Sequence, residues 1–114
     1  MYKVKFEEQI GGSILKIKSQ FIGGDETDKL RDALRELSEQ KKKKLIINLE
    51  KVTYLNSTAL GVLISAHANF AKRDGKIVLC NVSKSIENIF VITKLTLVFP
   101  ITNSLEDAIK SITE

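Results

Sequence analysis

Ser57 and Thr58 stand side by side in Tyr54-Leu55-Asn56-Ser57-Thr58-Ala59-Leu60-Gly61, where a strongly apolar strand candidate meets a strongly apolar helix candidate. Small hydroxyl residues at such a junction can do two things. Asn56 or Ser57 can cap the helix by accepting hydrogen bonds from the next backbone N–H groups. Alternatively, one hydroxyl can accept a phosphoryl group, because the free N–H groups and the dipole of a helix start favour negative charge. A charge of about −2 arriving there would leave the fold intact. It would transform a neutral patch made of Gly23, Gly24, Asn56, Ser57 and Thr58, and so repel a partner that docks on it.

Other chemistry finds little support. His67 is the lone histidine. It falls three turns into the helix that Ser57 begins, about 15 Å along the axis, too far for a Ser-His relay between these two residues. Its expected role is structural. Cys80, in Ile77-Val78-Leu79-Cys80, has no partner for an internal disulfide and sits as a buried strand residue would. Gly11-Gly12 and Gly23-Gly24 match neither a dinucleotide fingerprint nor a P-loop and read as turns. The carboxylates are scattered along helix surfaces. A binding protein without cofactor or metal is expected, not an enzyme.

The elements that position the junction follow from periodicity. Tyr2, Val4 and Phe6 alternate with lysines, and Ile14 to Lys18 form a second strand after Gly11-Gly12, so the chain should open with an antiparallel hairpin at a sheet edge. Gly23 to Thr27 read as a loop ending in capping residues. Leu30, Ala33, Leu34 and Leu37 then have amphipathic helix spacing, with Asp28–Arg31 and Asp32–Arg35 paired on the outer face. Leu45-Ile46-Ile47-Asn48-Leu49 is apolar on both faces, as a central parallel strand requires. The helix from the junction carries Leu60, Leu63, Ile64, His67 and Phe70 and should be largely buried, with Asp74-Gly75 as its stop. Lys76 to Cys80 form another buried strand. Ser83 should cap a helix through Ile86, Ile89 and Phe90, Leu97-Val98-Phe99 a short strand ended by Pro100, and Ser104 should cap a last helix through Ile112. Strands separated by helices pair in parallel through right-handed crossovers. The expected fold is α/β, a mixed, mostly parallel sheet of four to five strands with four helices.

Length and composition set the outer bounds. A chain of 114 residues with 43% hydrophobic and 28% charged residues fits one compact domain, residues 1–114. It has no apolar run near the roughly 20 residues of a membrane span and no signal-peptide core at its start, so a cytoplasmic protein without membrane insertion is expected. Much of the net charge of +4 lies in Lys41 to Lys44. A lysine run after a helix usually solvates its end, and without interleaved aromatics no direct nucleic-acid contact is expected. The hairpin edge could pair with another chain, giving a monomer or a weak homodimer.

The segment Leu45 to Gly61 resembles the core of the STAS domain, the fold of bacterial anti-sigma factor antagonists. In that family a similar strand leads to Asp-Ser-Ser/Thr-Gly-Leu-Gly at the start of a buried helix, which stands here as Asn56-Ser57-Thr58-Ala59-Leu60-Gly61. The resemblance continues through Gly75 to Ser83 and from Ile86 to Phe90. It implies that Ser57 is phosphorylated by an anti-sigma factor that is itself a serine kinase, and that a serine phosphatase restores it. The unphosphorylated antagonist would sequester the kinase and free a sigma factor, with Gly23, Gly24, Asn56, Ser57, Thr58, Leu60 and Gly61 at the partner surface. An unmodified STAS adaptor subunit of a transporter or sensory complex is the alternative. Two positions depart from the family pattern and make the patch more neutral: Asn56 replaces the usual Asp, and Gln20-Phe21-Ile22-Gly23 stands where Gly-x-Leu-Asp is usual.

Overall fold

The computed structural model describes residues 4–9, 12–17, 24–39 and 44–113. Five strands form one mixed sheet in the order β1-β2-β3-β4-β5. β1 (Val4–Gln9) and β2 (Gly12–Ile17) are antiparallel, with Gln9 opposite Gly12 and Val4 opposite Ile17. β2, β3 (Lys44–Asn48), β4 (Lys76–Cys80) and β5 (Ile101–Thr102) run parallel. The expected hairpin and central strand are both present. Between and after the strands come α1 (Gly24–Glu39), α2 (Ser57–Ala71), α3 (Lys84–Ile92) and α4 (Leu105–Thr113).

Strand alternation divides the core into two layers. Leu15, Ile17, Leu45, Ile47, Ile77 and Leu79 face α1, α2 and α3, which supply Leu30, Leu34, Leu63, Phe70 and Phe90. Ile14, Ile46, Val78 and Cys80 face the other way, where Ala108 and Ile112 of α4 cover them. β3 is fully buried from Leu45 to Asn48 because helices lie on both its faces. Lys44, read with the lysine run as solvating a helix end, instead begins this strand. Its Nζ donates to the Ile112 carbonyl at 2.9 Å, and so satisfies an orphan acceptor near the end of α4. Lys41 to Lys43 lie outside the described residues, as do Gly11 and Gly23.

Three further sequence expectations are corrected. Leu97-Val98-Phe99 is no strand: Leu95–Leu97 is a 3-10 turn and the chain joins the sheet only after Pro100. Pro100 has no N–H to give, but its carbonyl accepts the Leu79 N–H at 2.9 Å, which suits a residue entering an edge strand. Phe99 is buried not by pairing but by packing, edge-on to Phe90 at 5.8 Å and to His67 at 5.4 Å between ring centroids. Second, Gly24 to Thr27 are not loop but the first turn of α1, with Thr27 buried. Third, α2 is not largely buried. Ala59, Val62, Leu63, Ala66 and Phe70 face the core, whereas Ile64, Ala68 and Ala71 are exposed with Ser57, Thr58, Gly61, Ser65 and Asn69. Its apolar circumference comes from small residues that leave the outer face shallow.

Candidate functional site

α1, α2 and α3 each follow a parallel strand, so all three helices start at the carboxyl end of β2, β3 and β4. In open α/β sheets this end, where loops and positive helix ends converge, is where ligands bind. Asn48 organises it. Its side chain is buried, and its Oδ1 accepts the Glu50 N–H at 3.0 Å and the Asn81 Nδ2–H at 3.3 Å. This fixes the turn after β3 to the turn after β4, where Asn81 takes the left-handed conformation with φ 57. From sequence, Leu45 to Leu49 reads only as a buried strand and this tie is missed, although the polar Asn48 inside the apolar run is the available signal for it. The register Asn48↔Cys80 brings the two turns together.

From there the chain runs to the junction with Val52 and Leu55 buried as anchors. The Ser85 hydroxyl, at the start of α3, donates to the Thr53 carbonyl at 3.3 Å. Tyr54 remains 49% exposed beside these anchors.

Of the two possible caps, Asn56 takes the role. Its backbone is extended (φ −80, ψ 171), its Oδ1 accepts the Ala59 N–H at 2.7 Å and its carbonyl accepts the Leu60 N–H at 3.1 Å. Ser57 is therefore the first helical residue and Thr58 the second. Both are exposed, and neither hydroxyl makes a hydrogen bond among the described residues. Two free hydroxyls thus lie at the positive end of α2, with no acidic residue in its first turn.

The remaining partner-surface residues divide. Gly61 is exposed one turn beyond Ser57, whereas Leu60 is half-buried against the core. Gly24 opens α1. Between α1 and α2 runs a groove of about 490 Å³. Thr58, Gly61, Ser65 and Asn69 line its α2 side and Arg31 and Arg35 its α1 side, with Leu34, Val62 and Ala66 between. The sequence placed the two arginines on a solvated helix face, paired to Asp28 and Asp32. Those pairs exist, at 2.8 and 4.0 Å. Periodicity carries no information on which neighbour a charged face overlooks.

His67 packs on Phe99 at the opposite end of α2 from Ser57, in keeping with a structural role. Cys80 is buried under α4, and burial, reinforced by Glu50, pushes its thiol up to about 11 despite Lys16. It is therefore a neutral thiol, a poor nucleophile. Among the described residues no three His, Cys, Asp or Glu side chains converge as metal ligands, and no helix is long and apolar enough to cross a membrane.

Comparison with known proteins agrees with this architecture. Residues 3–108 match the family model of the STAS domain. The chain belongs to the STAS domain family. Among its relatives, this STAS chain is 21% identical over 101 residues to a candidate anti-sigma factor antagonist of Bordetella bronchiseptica, BtrV, covering 89% of the chain and 87% of that protein. Its fold is shared with a crystal structure of a candidate anti-sigma factor antagonist from Thermotoga maritima, at a TM-score of 0.89 and 15% identity, covering 97% and 95% of the two chains. It is also shared with the Bacillus cell fate determinant SpoIIAA in its phosphorylated form, at a TM-score of 0.76 and 15% identity, covering 96% and 98%. The STAS fold that the resemblance from Leu45 to Gly61 implied is thus the fold observed.

Proposed function

We propose that this STAS protein is an anti-sigma factor antagonist whose capture of its partner is switched by phosphorylation of Ser57. The observation that carries the reading is the division of labour at the start of α2: Asn56 caps the helix, so the exposed Ser57 hydroxyl has no structural task. The partner is an anti-sigma factor that is itself a serine kinase. Ser57 Oγ attacks the γ-phosphorus of ATP bound to that kinase, the bond to the β-phosphate oxygen breaks, ADP leaves, and the hydroxyl proton passes to the kinase or solvent. A serine phosphatase hydrolyses the ester and restores the hydroxyl.

The dianion stabilises or leaves unchanged the helix it sits on, because it meets free N–H groups at the positive end of the dipole. Its effect falls on the partner. A face neutral at Asn56, Ser57, Thr58 and Gly61 becomes charged, and desolvating that charge opposes docking. The unphosphorylated protein holds the kinase and frees the sigma factor, and the phosphorylated protein releases it.

The test is capture of the cognate kinase by wild-type and Ser57→Asp protein, with circular dichroism of both. The expected result is loss of capture with an unchanged spectrum, and equal capture would overturn the switch. Intact mass of protein from its own cell should show an added phosphate that Ser57→Ala removes. Absence of phosphate at every growth stage would favour an unmodified adaptor.

A further inference from the structure

Gly61 lies inside α2, where glycine costs a helix about 1 kcal/mol relative to alanine. Glycine in such a place is usually explained by the close approach of another segment of the same fold. Here that explanation fails, because a Cβ built on Gly61 meets nothing within 4 Å. The open space in front of it is the groove between α1 and α2. No contact among the described residues accounts for the missing side chain, and the room it leaves opens into this groove.

The groove also indicates what would fill that room. Among the described residues its charged lining groups are Arg31 and Arg35, and no described carboxylate lines it. Arg31 is held by Asp28 and Arg35, more loosely, by Asp32, but all four side chains are at least 41% exposed. Such pairs contribute only tenths of a kcal/mol and exchange readily for a better-placed carboxylate. Leu34, Val62 and Ala66 present the edges of buried side chains between the arginines and the polar residues of α2.

We propose that this groove is a docking site for an acidic helical segment of a protein partner. Its carboxylates pair with Arg31 and Arg35, an aliphatic side chain lies over Leu34 and Val62, and its backbone approaches α2 at Gly61. The proposal rests on the reading of the chain as a partner-binding protein. It assigns the chemistry of the partner and does not depend on modification of Ser57.

The test is an amide NMR titration of the unmodified protein with a synthetic helical peptide of leucine and glutamate, and with its leucine and lysine counterpart. The expected result is saturable shifts at Arg31, Arg35, Thr58, Gly61 and Ser65 with the acidic peptide alone. Binding should weaken at least tenfold, roughly, in the Arg31→Glu, Arg35→Glu double variant and fall with added salt. Gly61→Ala, which should fold with an equal or higher melting temperature, should bind more weakly because its methyl group fills the approach. No shifts, shifts spread over Lys72, Lys84 and Lys94 instead, or binding unaltered by the double reversal would overturn the proposal. No kinase is present in this titration, so its failure leaves the Ser57 switch standing, and failure of that switch leaves the groove standing.

Discussion

Asn56 Oδ1 accepts the Ala59 N–H at 2.7 Å, across the two residues whose hydroxyls remain free. Removing this bond should therefore cost stability, whereas removing the neighbouring hydroxyl should not. Asn56→Ala is expected to destabilise by about 1 kcal/mol and to lower the melting temperature by roughly 4 °C. Ser57→Ala should melt within experimental scatter of wild type. Equal losses in thermal denaturation would mean that Ser57 shares the cap.

Asn48 ties two turns at the carboxyl end of the sheet from a buried position. Asn48→Ala leaves the Glu50 N–H and the Asn81 amide without their acceptor. It should destabilise by about 1–3 kcal/mol in urea unfolding, and faster amide exchange at Glu50 and Asn81 should locate the loss.

Cys80 titrates upward on folding, from 9.0 to about 11, because burial disfavours its thiolate. The unfolded chain then releases its proton first as pH rises. The thiol's contribution to stability is therefore fully present below about pH 9 and lost between 9 and about 11. Stability over that window should fall more steeply for wild type than for Cys80→Ala. At pH 8 a thiol reagent should label Cys80 in urea and leave the native protein unmodified.

Phe99 joins Phe90 and His67 without belonging to any strand or helix. Phe99→Ala should cost about 3–5 kcal/mol, since the ring is wholly buried and its neighbours sit on separate elements that cannot collapse freely. Far-UV circular dichroism below the melting transition should stay near wild type, because no regular element loses a member.

The strands and helices were legible where burial repeats with a fixed period. Leu30, Ala33, Leu34 and Leu37 could line only a helix, and Leu45 to Leu49 had to be covered on both faces, so the α/β class and the chain order of its elements were determined by the sequence. The same holds for Ser83 and Ser104, which accept the Ile86 and Asp107 N–H groups at 3.3 and 3.0 Å, because capping is a local contact three residues long.

What stayed hidden depends on contacts between distant residues. Leu97-Val98-Phe99 looks like a strand by composition, yet Phe99 is needed beneath α2 and α3 and the sheet edge is met only from Pro100. An apolar α2 looked buried, but whether an alanine face is covered depends on how many helices share that side of the sheet. Asn56 or Ser57 was an open choice until backbone geometry at Asn56 settled it. The sequence by itself determined the junction, its two hydroxyls and the family they resemble. Only the tertiary structure could set Arg31 and Arg35 across a groove from Thr58 and Gly61, because that neighbourhood is made by packing α1 on α2, and side-chain periodicity within one helix does not encode its neighbour.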